Sequence, residues 1–185
     1  MKKTYVLDTN VLIQAPYAVE CFEENTVVLP MTVLEELDNM KKEEGEKGAN
    51  VRKVIRILDA HREKGNLLEG VRMEWGGTLR VEKNYRNVEL PPDLPEHKSD
   101  NRILKVCVGL SNDLKEQVIL VTKDILLRIK AQLLGIQAED FGTEQVAVHE
   151  EQYLGRREVF VPEELFKDFK KKGVPVECVY CCDMS

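Results

Sequence analysis

The run QVILVT, residues 117–122, constrains the fold more than any other feature of the sequence. Its four central residues are all large and apolar, with no polar residue between them. A half-exposed strand alternates apolar and polar residues, whereas a strand covered on both faces reads as an unbroken apolar run. This run therefore predicts a central strand of a parallel sheet that is covered by helices on both faces.

Strand-length apolar runs alternate with helical patterns along the first 140 or so residues. Besides the run at 117–122, strands are predicted at residues 5–7, 26–30 and 136–138. Helices are predicted from apolar periodicity at residues 31–42, 49–64, 100–110 and 124–134. This alternation predicts an α/β fold, a three-layer α/β/α arrangement with a mainly parallel central sheet.

Local composition predicts three further features. The segment EEGEKG, residues 43–48, is predicted to be a loop. Alternation on both sides of Gly76-Gly77 predicts a β-hairpin within residues 71–83. A Pro-rich loop precedes the helix at 100–110, and Ser99 is predicted to cap that helix.

Composition limits the classes of partner. The chain has 185 residues, 43% of them hydrophobic, and a net charge of −6, which argues against a general nucleic-acid coat or an anionic membrane surface. No apolar stretch approaches the ~18 residues of a membrane-spanning helix, and we expect a cytoplasmic protein with reduced thiols and no membrane partner. The cluster Cys178, Cys181 and Cys182 lacks a second half and a nearby His, so zinc is not expected there.

Two carboxylates follow predicted strands directly, Asp8 after the first strand and Asp124 after QVILVT. In open α/β sheets, ligands bind outside the carboxyl ends of the strands. Glu36 flanks the apolar stripe of the second-strand helix, and Asp100 lies on the inward stripe of its helix, in the first turn. We therefore expect these four acids to converge at one edge of the sheet.

Four unpaired carboxylates in one pocket would repel one another, and a divalent cation removes this repulsion. Oxygen ligands suit Mg²⁺ or Mn²⁺, and two such ions could activate water and stabilise the leaving oxygen of a phosphodiester. Each acid also has an ordinary structural explanation: Asp8 and Asp124 could cap helices, and the helix dipole could favour Asp100. Both explanations stay open, and the coincidence of four acids favours the metal site.

Four segments in this order, VLDTNVLI, LPMTVLEELDNMK, SDNRIL and VILVTKDILLRIKA, resemble the PIN-domain nucleases. They cover about residues 4–141 and are most similar to the PIN domain found ahead of PhoH-type ATPases. The resemblance implies a metal-dependent endoribonuclease that acts on single-stranded RNA. It also implies that the catalytic and metal-ligating acids are Asp8, Glu36, Asp100 and Asp124, with Mg²⁺ or Mn²⁺ as the cofactor.

The resemblance further implies that Thr9, Asn10 and Thr122 support the acids through hydrogen bonds. Asn101 stands where some relatives carry a second acid, which leaves the number of metal ions open. The chain contains no G-x-x-x-x-G-K-[ST] phosphate loop. Either the chain is a fragment of a longer protein, with a PhoH-type ATPase domain in the same or a partner chain, or it is a stand-alone relative.

Cationic side chains near the acids are the candidates for holding RNA, because acids repel its phosphates. The candidates are Lys123, Arg128, Lys130 and Arg102, and Lys41, Lys42 and Lys47 follow Glu36 nearby. Each of them could equally be an ordinary solvated surface residue.

The pattern changes after residue 142, so we predict a PIN-like nuclease domain at residues 1–142. Residues 143–185 are predicted to form a small α+β extension or a linker toward a missing domain. One alternative function is a catalytically weak PIN-like module that binds RNA or a partner. Another is a phosphatase or phosphoacceptor domain, which an acid at the position of Asn10 would favour. A toxin role and a homo-oligomer are both left open.

Overall fold

A six-stranded sheet lies at the centre of the described residues, which are 2–85 and 87–142 of this computed structural model. The strands are β1 (Lys3–Leu7), β2 (Thr26–Pro30), β3 (Val71–Arg72), β4 (Thr78–Glu82), β5 (Gln117–Val121) and β6 (Gln137–Glu139). The α-helices are α1 (Thr9–Gln14), α2 (Met31–Met40), α3 (Gly45–Lys64), α4 (Ser99–Asp113) and α5 (Ile125–Leu133). A 3₁₀ helix, Ala18–Glu20, lies between α1 and β2.

The strand order is β3-β4-β2-β1-β5-β6, and β3 pairs antiparallel with β4 while the other described pairs are parallel. From β1 the chain runs to one side through β2 to β4, then crosses to β5 and β6 on the other side. Crossovers of this kind are almost always right-handed, and with this strand order that rule assigns α1 to α3 to one face of the sheet and α4 and α5 to the other. The predicted three-layer α/β fold with a mainly parallel sheet is confirmed.

The central strand β5 has the burial that its sequence predicts. Residues 118–121 are at most 6% exposed, and β1 and β6 pair with β5 on its two sides. On the other side of β1, Val6 pairs with Val28, and both are fully buried. Buried side chains therefore form one continuous core across the middle of the sheet. This core fixes the positions of the residues at the carboxyl ends of the central strands.

The predicted hairpin at Gly76-Gly77 is confirmed by the antiparallel pairing of β3 with β4, and Gly76 has a φ of +91°. The capping role predicted for Ser99 is wrong. Helix α4 begins at Ser99 itself, and Lys98 occupies the cap position without a side-chain hydrogen bond. The carbonyl of Pro95 accepts the Lys98 N–H at 3.3 Å and the Asn101 amide at 2.8 Å. These loop contacts hold the start of α4 in place of a hydroxyl cap.

The loop predicted for residues 43–48 is also wrong from Gly45 onward, because α3 begins there. The guanidinium of Arg52 donates to the carbonyls of Lys41 and Glu43, both at 3.1 Å, and so ties α3 to the end of α2. Gly48 is buried, and a Cβ on it would lie 1.8 Å from the Glu43 carbonyl oxygen. These contacts with Lys41 and Glu43 therefore decide where α3 begins, although the glycines of this segment favour a loop.

The strand–helix–strand pattern predicted after residue 142, and the cluster Cys178, Cys181 and Cys182, lie outside the described residues. Of the two cysteines in the described part, Cys107 is fully buried in the core and Cys21 is partly buried; both are free thiols. None of the described helices combines the length and the apolar character that crossing a bilayer requires.

We expect Gly48→Ala to lower the free energy of unfolding by about 1–3 kcal/mol, since the new methyl group would overlap the Glu43 carbonyl. In an unhindered helix the same change is stabilising by about 1 kcal/mol, so the sign is diagnostic. Urea titration followed by circular dichroism measures the effect. Glu46→Ala, at an exposed position of the same turn, serves as the control, and a stabilised Gly48→Ala protein would contradict the close approach.

Candidate active site

Asp8 lies where the topology of the sheet changes direction. It follows β1, whose neighbours β2 and β5 belong to the two oppositely directed halves of the sheet. Its backbone N–H donates to the Val121 carbonyl at 3.0 Å, which extends the pairing of β1 with β5 by one step. The residue is only 4% exposed. Ligands of doubly wound α/β folds bind at such switch points, so Asp8 stands at the expected place.

Both oxygens of the Asp8 carboxylate accept hydrogen bonds. Oδ1 accepts from the Thr9 backbone N–H at 2.7 Å, which caps α1. Oδ2 accepts from the Thr122 hydroxyl at 2.7 Å and from the Asn10 amide at 3.3 Å. Asp8 therefore does cap α1. Its carboxylate also has lone pairs that these hydrogen bonds do not use, and its three polar neighbours fix its orientation.

Glu36 and Asp100 reach the same place from two helices. Glu36, on α2, accepts a hydrogen bond from the Thr9 hydroxyl, and Asp100 lies in the first turn of α4. Asp8, Glu36 and Asp100 line one open cleft with a volume of about 300 Å³. The other residues that line it are Thr9, Asn10, Ile13, Asn39, Met40 and Lys47.

The surroundings of Asp8 in the cleft disfavour its ionised form. Burial raises the pKa of Asp8 above its ordinary value of 3.8, and the charges of Glu36 and Asp100 raise it further. The hydrogen bonds from Thr122 and Thr9 act in the opposite direction and favour the ionised form. The ionised carboxylate is therefore held by hydrogen bonds against desolvation and against two neighbouring negative charges.

Asp124 is placed differently from the other three predicted acids, since it does not line the cleft. Its Oδ1 accepts from the backbone N–H groups of Leu126 at 2.7 Å and Leu127 at 3.3 Å, which caps α5. Its own N–H donates to the Thr122 hydroxyl at 3.0 Å. Because the same hydroxyl donates to Asp8, Thr122 joins the two acids. The structure thus brings three acids together in the cleft. The fourth, Asp124, does not line the cleft and is connected to Asp8 through the Thr122 hydroxyl.

The predicted RNA-binding cations are paired with acids in the structure, with one exception. Lys130 donates to Asp100 at 3.1 Å, Arg102 to Glu35 at 3.1 Å, and Lys123 lies 3.3 Å from Asp140. For Arg128, the buried Nε has no hydrogen-bond partner among the described residues. Of these four, Lys130 is the one that contacts an acid of the cleft.

Sequence reasoning missed two cleft residues on α2. Asn39 and Met40 line the cleft with Glu36 and follow it by three and four positions, the spacing that places side chains on one helix face. That spacing could have found them. Lys47 also lines the cleft, from the first turn of α3, where the sequence predicted a loop.

The acids of the cleft are not assembled into a closed ligand cage. In the part of the chain that the structure describes, no three His, Cys, Asp or Glu side chains are grouped so that they could hold a metal ion. Asn101, beside Asp100, is 1% exposed, and its amide donates to the Pro95 carbonyl. Asn101 therefore supports the start of α4.

We expect Asp8→Asn to raise the free energy of unfolding at pH 7 in the absence of divalent cations. A carboxyl group whose pKa is raised by folding stabilises the folded state fully below pH 3.8 and loses that contribution as the pH rises through its folded pKa. Asparagine removes the charge and still caps a helix. Urea titration at several pH values measures the difference, which should shrink toward acid pH.

Asp124→Asn is the matched control, because Asp124 also caps a helix and is only partly buried. An Asp8→Asn protein that is less stable than the wild type at pH 7, with an unaffected Asp124→Asn protein, would contradict the destabilising role of the buried charge.

Comparison with known proteins identifies the family. Residues 5–142 match the family described as PIN domain. Protein PhoH2 of Bacillus subtilis (strain 168) is 46% identical over 179 residues, which cover 94% of this chain and 40% of that protein. Protein PhoH2 of Mycolicibacterium smegmatis is 40% identical over 149 residues, 79% of this chain and 34% of that protein.

Two solved structures are also similar to the chain. One is a domain of a functionally unknown protein from Methanocaldococcus jannaschii, at 24% identity and a TM-score of 0.45, covering 76% of this chain and 91% of that one. The other is a PilT N-terminus domain protein from Sulfolobus solfataricus, at 12% identity and a TM-score of 0.47, covering 84% and 97%.

The chain spans 40% or less of the length of the PhoH2 relatives it matches. The resemblance drawn from the four sequence segments is confirmed, since the family match covers nearly the same residues. With residues 5–142 in that match, the chain belongs to the PIN domain family.

Proposed function

We propose that this chain is a metal-dependent endoribonuclease that hydrolyses phosphodiester bonds of single-stranded RNA. PIN domains are generally metal-dependent nucleases, which supports the reaction class. The single observation that carries the proposal is the cleft in which Asp8, Glu36 and Asp100 meet at the switch point of the sheet. Such a site is placed to bind a ligand, and its acids need a positive charge.

The residues fit a hard divalent cation, Mg²⁺ or Mn²⁺, in two respects. Their donor atoms are carboxylate oxygens, and the ionised form of Asp8 is opposed by burial and by two like charges, which a cation would offset. Mg²⁺ also keeps several of its waters and binds through one or two carboxylates. The lack of a three-ligand group in the described residues is therefore compatible with this kind of site.

Asp8, Glu36 and Asp100 would hold the cation directly or through water. We assign Asp124 to the same centre: its Oδ1 caps α5, while no described residue donates a hydrogen bond to its Oδ2. When bound, the cation supplies charge neutralisation and the activation of water for attack on phosphorus.

The supporting side chains orient the acids. The Thr122 hydroxyl donates to Asp8 and accepts from the Asp124 N–H, so its position sets the spacing between these two residues. Thr9 contributes its N–H to Asp8 and its hydroxyl to Glu36. Asn10 donates to the Asp8 oxygen that Thr122 also contacts. Groups that orient ligands in this way typically change metal affinity or activity by about 10–100-fold when they are removed.

RNA binding is proposed for Lys123, Arg128, Lys130 and Arg102, and for Lys47, which lines the cleft. The net charge of −6 makes a local contact of this kind necessary, because the net charge of this chain repels a polyanion. Three of these four cations, Lys123, Lys130 and Arg102, are paired with acids, so their ammonium or guanidinium groups would have to exchange partners.

A catalytically weak module that binds RNA or a partner is the second candidate. The open arrangement of the acids in the described residues favours it, since a nuclease needs its metal held in place. The PhoH2 relatives are more than twice as long as this chain, and a PhoH-type ATPase in the same protein or a partner chain is proposed as the missing part. The domain division at residue 142, a cytoplasmic location and a homo-oligomer stay predictions.

We expect the wild-type protein to cleave a labelled, unstructured single-stranded RNA with Mn²⁺ or Mg²⁺ and to lose this activity with EDTA. Asp8→Asn and Glu36→Gln should each reduce the rate by at least about 100-fold, since each removes a metal ligand. Asp38→Asn is the matched control, an exposed acid on the same helix that pairs with Lys41.

Calorimetric titration with Mn²⁺ separates the two candidates. Because the cation binds the folded state, free Mn²⁺ at 100 times its dissociation constant should also raise the free energy of unfolding of the wild type by about 2.7 kcal/mol. Metal binding and RNA binding without cleavage would favour the binding module. A folded wild-type protein that neither binds Mn²⁺ nor cleaves RNA would overturn the metal-dependent nuclease.

A further inference from the structure

Lys130 contacts the candidate metal site in a way that RNA binding alone does not explain. Its Nζ lies 3.1 Å from Oδ2 of Asp100, and the pair joins α5 to the first turn of α4. The side chains are 28% and 39% exposed, so the pair is partly sheltered from solvent. Of the three acids that line the cleft, Asp100 is the one with an ion pair to a described cation.

The other two cleft acids are held by neutral donors. Asp8 accepts hydrogen bonds from Thr9, Asn10 and Thr122, and Glu36 accepts one from Thr9. Because these donors are uncharged, they do not neutralise the carboxylates of Asp8 and Glu36, and both negative charges remain available to a cation. Asp100 is different, because part of its charge is already neutralised by an ammonium group.

An ammonium group and a divalent cation compete for the same carboxylate. A lysine has three donors and no acceptor, so it cannot share in metal ligation, and its charge repels a second cation nearby. Its long stem lets the ammonium group move away while the backbone of α5 stays in place.

The geometry points to Lys130 as an internal counter-cation of Asp100 that is displaced when a divalent cation binds. Once displaced, its ammonium group becomes available to a phosphate oxygen of the RNA strand at the rim of the cleft. This inference rests on the proposed metal-dependent nuclease function and adds a coupling between its two ligands. Because coupling is reciprocal, metal would tighten RNA binding and RNA would tighten metal binding.

Lys130→Met tests the first half, because methionine keeps most of the stem and removes the charge. We expect it to bind Mn²⁺ roughly two- to fivefold more tightly than the wild type in calorimetry without RNA, the range for one partly exposed ion pair. Lys64→Met is the control: Lys64 also forms an ion pair, with Glu74 at 3.3 Å, and neither residue lines the cleft. Its Mn²⁺ affinity should equal that of the wild type.

The second half is tested by fluorescence anisotropy with a labelled, phosphorothioate-linked single-stranded RNA, which resists hydrolysis. Mn²⁺ should tighten RNA binding to the wild type and to Lys64→Met, and it should do so by a clearly smaller factor in Lys130→Met. An equal factor in all three proteins would overturn the coupling.

The outcomes also separate this inference from the proposed function. A wild type that does not bind Mn²⁺ removes the metal site, and the inference falls with it. A wild type that binds Mn²⁺, with Lys130→Met binding it equally or more weakly, overturns the inference alone. Tighter binding in both Lys130→Met and Lys64→Met would assign the effect to net charge and would likewise overturn the specific role of Lys130.

Discussion

The hydrogen bond from Thr122 to Asp8 is the contact on which the arrangement of the candidate site depends. It joins the residues that directly follow β1 and β5, the two strands between which the direction of the sheet changes. The Thr122 hydroxyl also accepts a hydrogen bond from the Asp124 N–H. The hydroxyl of Thr9, the residue next to Asp8, donates a hydrogen bond to Glu36. A short chain of hydroxyl groups therefore relates acids that come from distant parts of the sequence.

This arrangement has an energetic cost that the rest of the fold offsets. An acid that is 4% exposed and faces two further carboxylates opposes folding in its ionised form. The buried strands β1 and β5 and the caps of α1 and α5 hold the backbone around it. An energetic cost at one site that the rest of the fold offsets is typical of functional sites in general.

Much of the fold could be predicted from local patterns. The apolar run of β5, the β-branched β2 and the hairpin at Gly76 were all found, because burial on both faces and glycine turns leave strong local signals. The start of α3 was missed because Arg52 and Gly48 fix it through contacts with the end of α2. The start of α4 differed because a loop carbonyl replaces the expected hydroxyl cap.

The sequence by itself determined the α/β class and the position of Asp8 at a strand end, since hydrophobic period and strand length are properties of adjacent residues. It also indicated the four acids and the PIN family. Only the tertiary structure decided that Asp8, Glu36 and Asp100 share a cleft while Asp124 caps α5 outside it. It also decided that Lys130 pairs with Asp100. Distances between side chains on different elements depend on how helices pack across the sheet, and no local pattern in the sequence specifies that packing.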